Sequence, residues 1–269
     1  MKISCTTLAC PGWPLERILD LLQSAGYDAI DFRGLDDQME IWRLPAFSAD
    51  LDATADRIAR AGLAVSALSS GARMFVPDPA QVQAQVDEVA HYGRLCRALH
   101  APIIRVFGGA TGDTPMSDAI PAAAESLARL AEAAGPDVTV AVETHDDWVR
   151  SRPLAEVLAR VDAENVGVLW DLHHPWRLAG EPPEETYANI GRHAVAVHVK
   201  DSRPAGKGKY EYCLPGEGDV PLAAMARLLR QGGYDGYLTL EWEKRWHPDI
   251  ADAAVAVPAY GRYMRDHMS

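Results

Sequence analysis

Short apolar runs rich in β-branched residues alternate along the whole chain with amphipathic helical patterns. The runs predict strands and the amphipathic segments predict helices, which together is the pattern of a parallel sheet covered by helices. Helices are predicted, for example, over LERILDLLQSAG, DLDATADRIARAG and the Ala- and Leu-rich stretch from Ile120 to Gly135. The predicted strands, eight in all, start near residues 2, 27, 63, 102, 138, 166, 194 and 237.

Two features favour a closed barrel over an open sheet. The second and eighth strand units, AGYDAIDFR and GGYDGYLTLEWE, share a helix-ending glycine, a GYD entry and a strand. The first strand lacks the GxGxxG fingerprint of an open dinucleotide-binding sheet. The length of 269 residues suits a barrel, and no Gly/Ser-rich linker divides the chain. We therefore predict an α/β fold, a single-domain (β/α)8 TIM barrel over residues 1–269.

The net charge and the cysteine content indicate which partners to exclude and which cellular compartment to expect. The net charge of -12, from 26 basic and 38 acidic residues, disfavours nucleic acid as a partner. The four cysteines form no CxxC pair, as expected of free thiols in a reducing cytoplasm. No apolar run approaches the roughly 20 residues of a membrane span, and we see no signal peptide. We expect a soluble cytoplasmic protein without a membrane partner; assembly into a homo-oligomer is left open.

Polar side chains end four successive strands in the second half of the chain. VTVAVETH carries Glu143, VGVLWDLHHP carries Asp171, AVAVHVKD carries His198 and YLTLEWE carries Glu241. In a closed barrel these strand ends meet at one mouth. Three buried carboxylates repel one another and raise each other's pKa unless a cation lies between them. The four residues therefore predict a metal site.

The ligand types predict both the ion and the chemistry. Three carboxylates and one imidazole, without a thiolate, suit Mn²⁺ first, and then Mg²⁺, Co²⁺ or Zn²⁺. Two free coordination positions would hold neighbouring oxygens of a substrate and polarise its carbonyl. Glu143 and Glu241, on opposite faces of the substrate, would act as base and acid around an enediolate.

This quartet, together with DxxH at Asp171–His174, HVKD at His198–Asp201 and the closing GYDGYLTLEWE, resembles the xylose isomerase-like TIM barrel superfamily (the sugar phosphate isomerase/epimerase family). The resemblance spans essentially the whole chain. It implies a metal held by Glu143, Asp171, His198 and Glu241, with Glu143 and Glu241 as the acid/base pair. It also implies that His174 contacts the substrate.

Three further residues are predicted to bind substrate. Lys200 lies two residues beyond His198 on the same strand face, where it either reaches a substrate oxygen or pairs with Asp201 or Glu243. His145 shares the inward face of Glu143, with a substrate or a structural role. Ketose 3-epimerases of the superfamily usually carry an Arg-Gly pair beyond the histidine ligand, whereas here the nearest arginine, Arg203, precedes Pro204.

The predicted activity is a metal-dependent isomerase or epimerase of a sugar, sugar phosphate or cyclitol, acting through a metal-bound enediolate on a small carbohydrate-like substrate. The alternative is a dehydratase of an inosose- or dehydroshikimate-like substrate on the same site. A remote alternative, an abasic-site endonuclease-like hydrolase, needs histidines at the third and fourth strand ends, where this chain has ALSSG and RVFGG.

Overall fold

Eight parallel strands close into a barrel in a computed structural model that describes residues 1–206 and 208–268. Around the ring the order is β1, β10, β7, β6, β5, β4, β3 and β2. The predicted single (β/α)8 barrel is confirmed. The barrel strands are β1 (Lys2–Thr6), β2 (Ala29–Phe32), β3 (Ala64–Arg73), β4 (Ile103–Phe107), β5 (Thr139–Glu143), β6 (Val166–Asp171), β7 (Ala194–Val199) and β10 (Tyr237–Leu240).

Helices on the outside of the barrel connect successive strands. Each buries one apolar face against the sheet, as Ile18, Leu19 and Leu22 do in the first helix. The helices are α1 (Leu15–Ser24), α2 (Leu51–Arg60), α3 (Val82–Leu99), α4 (Met116–Ala134), α5 (Ser151–Leu158), α6 (His174–Ala179), α7 (Pro183–Ile190), α8 (Leu222–Gln231) and α9 (Ala253–Tyr263). Among the described residues no helix is both long enough and apolar enough to cross a membrane.

The segment after β7 contains a small antiparallel hairpin. Its strands are β8 (Asp201–Pro204) and β9 (Tyr210–Cys213), which pair antiparallel; residue 207, between them, lies outside the described residues. The Asp201 carboxylate fixes the return of the chain by accepting backbone N–H groups of Gly216 and Gly218. The hairpin therefore follows directly from the strand that carries His198.

The barrel interior is built in tiers because alternate residues of a strand point inward. The lowest tier is a small apolar cluster of Ala67, Ile103, Ala141, Leu169 and Ala196. Two residues further along the same strands lie the buried polar residues Ser69, Arg105, Glu143, Asp171 and His198. The same alternation that fills the core thus delivers polar groups to the carboxyl end of the barrel, where barrel enzymes place their active sites.

Gly93 allows α3 to pack closely against the end of α4. A Cβ at this position would lie 2.6 Å from the carbonyl oxygen of Ala134, and backbone cannot easily move away. Gly93→Ala should lower the free energy of unfolding by ~1–3 kcal/mol, although alanine favours a helix. Chemical denaturation would measure the change, with exposed Arg94→Ala as the control. A Gly93→Ala protein as stable as the wild type would contradict this packing.

Candidate metal centre

The four residues predicted from the strand ends converge in the barrel mouth. Glu143, Asp171, His198 and Glu241 each offer one ligand atom, and these four atoms all lie within 4.8 Å of one another. Glu143 and Asp171 are the last residues of β5 and β6, and Glu241 directly follows β10. All four side chains are buried. The arrangement has the size and the shielding of a metal site.

The hydrogen bonding of the cluster fits a bound cation. Both carboxylate oxygens of Glu143 and both ring nitrogens of His198 are buried without a hydrogen-bond partner in the described structure. Buried polar atoms are rarely left in this state, because losing water without a new partner costs free energy. A divalent ion would supply the missing partner. Oxygen and imidazole donors are also what such ions prefer.

The His198 ring is oriented by a carboxylate on the opposite side of the barrel. Its Nδ1 lies 3.2 Å from Glu241 and 3.5 Å from Glu143, while its Nε2 lies 3.5 Å from Asp31 Oδ2. Ser69 donates a hydrogen bond to the same oxygen of Asp31. Carboxylates of this kind fix the ring and raise the basicity of a metal-binding histidine. Sequence analysis assigned Asp31 no role, although it ends an apolar run as the predicted ligands do.

Arg105 is a second site residue that sequence analysis missed. Its side chain is 1% exposed, and its Nε lies 3.3 Å from Glu143 Oε2. Its Nη1 donates a 2.9 Å hydrogen bond to the carbonyl oxygen of Ser70. Burial and the charge of Glu241 would raise the pKa of Glu143, but Arg105 and His198 hold that pKa below its usual value. Glu143 is therefore ionised at neutral pH.

Lys200 lies among the acidic groups and is fully buried. Its ammonium group is 2.5 Å from Asp171 and 3.2 Å from Glu243, and it also donates to Glu241. Burial alone would lower the pKa of Lys200, but these three carboxylates raise it well above its usual value. The pairing with Glu243 weighed in the sequence is present, whereas Asp201 binds backbone N–H groups instead.

The predicted substrate residues are divided between the mouth and the surface. His174 begins α6, is 4% exposed, and its Nδ1 lies 3.0 Å from the carbonyl oxygen of Thr144 and 3.7 Å from Asp171 Oδ2. His145 lies at the rim, edge-on to His174 with 4.9 Å between ring centroids. Arg203 pairs with Glu211 across the hairpin and is exposed. The structure brings His174, His145 and Lys200 to the metal cluster but not Arg203, and their roles stay predictions.

A family model described as xylose isomerase-like TIM barrel matches residues 19–260 of the chain. The chain belongs to that family. A curated relative, the uncharacterized protein MJ1311 of Methanocaldococcus jannaschii, is 31% identical over 113 residues. That match covers 41% of this chain and 36% of the relative, so it spans only about a third of the relative's length.

Solved structures share the fold of this xylose isomerase-like protein over nearly its whole length. The IOLI protein, solved with a zinc atom, has a TM-score of 0.83 at 19% identity, covering 100% of this chain and 98% of its own. The probable 3-DHS dehydratase AsbF of Bacillus anthracis has a TM-score of 0.81 at 16% identity and covers 98% and 99%. D-psicose 3-epimerase of Clostridium cellulolyticum H10, solved with D-tagatose, has a TM-score of 0.80 at 14% identity and covers all of both chains, 100% each. At these low identities the TM-scores show a shared fold and nothing more.

Removing the carboxylate behind His198 should weaken metal binding without removing a ligand. Asp31→Asn should lower the affinity for Mn²⁺ about 10- to 100-fold, because the histidine ring loses its negatively charged partner. Isothermal titration calorimetry on the metal-free protein would measure the affinity. The matched control is Asp20→Asn, on the exposed face of α1. Equal affinities in the wild type and Asp31→Asn would contradict the positioning role.

Metal uptake should release protons. Burial alone would lower the pKa of His198, but Glu241, Asp31 and Glu143 raise it well above its usual value. The ring therefore carries a proton at neutral pH in the metal-free protein and must lose it to bind a metal. We expect release of about one proton per ion at pH 7, and an affinity that rises with pH up to the raised pKa.

Calorimetric titration of Mn²⁺ in two buffers of different ionisation enthalpy would count these protons. The apparent binding enthalpy should differ between the buffers by about the difference in their ionisation enthalpies. An apparent enthalpy that is the same in both buffers would contradict a protonated His198.

Proposed function

We propose that this protein is a metal-dependent isomerase or epimerase of a small carbohydrate-like substrate: a sugar, a sugar phosphate or a cyclitol. The reaction class is abstraction of a proton next to a carbonyl group. The observation that carries the proposal is the buried cluster of four ligand atoms within 4.8 Å of one another. The family match, and the fold shared with L-ribulose 3-epimerase and D-psicose 3-epimerase, agree with this class.

Glu143, Asp171, His198 and Glu241 would hold the ion, with Mn²⁺ as the first candidate. When bound, such an ion would act as a Lewis acid that polarises the substrate carbonyl and offsets the negative charge that develops there. The other steps of the proposed reaction depend on the side chains of the barrel mouth. They orient the substrate, exclude water from the reacting carbon and move the proton.

Glu143 is the proposed base. Arg105 and His198 keep its carboxylate ionised, so it can accept a proton from the carbon beside the carbonyl. Glu241 is the proposed partner on the other face of the substrate. Burial alone would raise its pKa, but Lys200 and His198 hold that pKa well below its usual value. Return of the proton to the neighbouring carbon gives isomerisation, and return to the opposite face gives epimerisation.

His174 and Lys200 are proposed to orient the substrate. The ring of His174 is held by the contact of its Nδ1 with the carbonyl oxygen of Thr144, and the same Nδ1 lies 3.8 Å from Glu143 Oε1. The ring therefore lies beside the proposed base, and its Nε2 is proposed to contact a substrate oxygen. The permanently charged Lys200 stabilises negative charge that develops beside Asp171 and Glu241.

A dehydratase on the same site is the second candidate, and His145 favours it. Elimination of a hydroxyl group requires an acid beside the base that removes the proton. Burial alone would lower the pKa of His145, but its hydrogen bond to Asp146 and the charge of Glu143 raise it. An imidazolium at the rim of the mouth, two residues beyond Glu143, is suited to protonating a leaving hydroxyl group.

Exchange of substrate hydrogen with solvent tests the common first step. The metal-loaded protein should incorporate deuterium from D₂O into one member of a panel of ketoses, ketose phosphates and inososes. Glu143→Gln and Glu241→Gln should each slow this exchange at least about 100-fold, because amides cannot accept the proton. Nuclear magnetic resonance would follow exchange, and absorbance of an enone product would reveal loss of water.

Exposed Glu184→Gln is the matched control for these variants. Elemental analysis of each protein separates loss of the acid/base group from loss of the metal. Full exchange by a Glu143→Gln or Glu241→Gln protein would disprove the role of that residue. Absence of exchange across the panel in the metal-loaded wild type would count against the proposed function.

A further inference from the structure

Arg33 lies at the barrel mouth without a partner for its charge. It directly follows β2, two residues beyond Asp31. Among the described residues, no carboxylate oxygen lies within 4.0 Å of its guanidinium nitrogens, and these nitrogens donate no hydrogen bond. Its side chain is partly buried, and the guanidinium retains access to solvent.

Aromatic and cationic neighbours place this guanidinium beside the metal cluster. Arg33 lies 5.5 Å from the centroid of the Phe107 ring, and Arg105 lies 3.9 Å from the same centroid. Arg105 in turn contacts Glu143. Phe107 also packs against His145, with 4.8 Å between ring centroids. Arg33 is thus connected to the predicted metal ligand Glu143 by three successive contacts, through Phe107 and Arg105.

The surroundings of Arg33 disfavour its positive charge. Burial and the like charge of Arg105 lower its pKa to about 10. The carboxylate of Glu88, which interacts with the charge of Arg33 at longer range, accepts a 2.7 Å hydrogen bond from the backbone N–H of Gly71 instead of pairing with Arg33. A partly desolvated cation next to a second cation is unfavourable unless an anion joins them.

The charges of Lys200 and Arg105, by contrast, are already neutralised by carboxylates. Lys200 pairs with three carboxylates, and Arg105 binds Glu143 and the carbonyl oxygen of Ser70. An incoming anion would therefore find its partner on the β2 side of the mouth. The planar guanidinium group offers two parallel donors to a carboxylate or a phosphate.

We propose that Arg33 binds an anionic group of the substrate, a carboxylate or a phosphate, while the carbonyl end of the substrate lies against Glu143 and Glu241. The substrate is then an acidic sugar derivative and not a neutral ketose. This inference rests on the proposed function, because it assigns the substrate class of the same site. Arg33 sets specificity and takes no part in proton transfer.

Matched neutral and anionic compounds test the substrate class. In the deuterium exchange assay, D-erythrulose represents the neutral ketoses, D-erythrulose 4-phosphate the phosphates and 5-keto-D-gluconate the keto acids. The wild type should prefer at least one anionic compound over the neutral one in kcat/KM. Arg33→Met should lower kcat/KM for that compound about 10- to 100-fold, mainly through KM. Arg33→Lys should retain part of the preference, and exposed Arg60→Met is the control.

Binding of simple anions tests the same residue independently of turnover. Inorganic phosphate and acetate are titrated into the Mg²⁺-loaded wild type and the Arg33→Met and Arg60→Met variants, followed by calorimetry. The wild type and Arg60→Met should bind at least one of the two anions, and Arg33→Met should lose that binding. The anion that binds identifies the acidic group.

The outcomes separate the two proposals. Exchange of neutral and anionic compounds at equal kcat/KM would overturn the role of Arg33 while leaving the proposed function intact. Anion binding that is absent from the wild type, or unchanged in Arg33→Met, would overturn it too. Anion binding through Arg33 without exchange of any compound would support the anion site and count against the isomerase chemistry.

Discussion

The mutual repulsion of three buried carboxylates governs the design of the barrel mouth. Glu143, Asp171 and Glu241 converge at a buried point, and burial alone would raise the pKa of Glu143 and of Glu241. The cations that contact these carboxylates oppose this effect. Arg105 and His198 hold Glu143 ionised, and Lys200 pairs with Asp171 and Glu241. A divalent ion would complete the same compensation.

The fold explains how such an unfavourable cluster is tolerated. Arg105, Glu143, Asp171 and His198 are each the next inward-pointing residue beyond an apolar tier of the barrel, so the packed core below fixes their positions. The carboxylate of Asp171 is held further by the backbone N–H groups of His173 and His174, at 2.8 and 2.9 Å. The scaffold therefore imposes the geometry, and the charges adjust to it through their pKa values. The result is a site organised before any substrate arrives.

The sequence predicted the barrel and the four converging residues because both follow from local patterns. An apolar strand that stops at a carboxylate or an imidazole can be recognised one segment at a time. The missed features depend on contacts between distant segments. In the sequence Arg105 is an isolated charge within an apolar strand, and only the fold shows that it contacts Glu143 of the next strand. The role of Asp31 likewise becomes visible only when the fold brings it close to His198. Helix α9 was not predicted, although the sequence contains a signal for it. Its buried residues follow helical spacing: Ala253, Ala256, Val257 and Tyr260.

One diffraction experiment addresses the central claim, that four side chains distant in sequence share a single divalent ion. Crystals of the protein loaded with Mn²⁺, measured at the manganese absorption edge, should give one strong anomalous peak per chain. We expect that peak about 2.2 Å from an oxygen of each of Glu143, Asp171 and Glu241, and from Nδ1 of His198. A peak elsewhere in the barrel, or none between these four residues, would contradict the account.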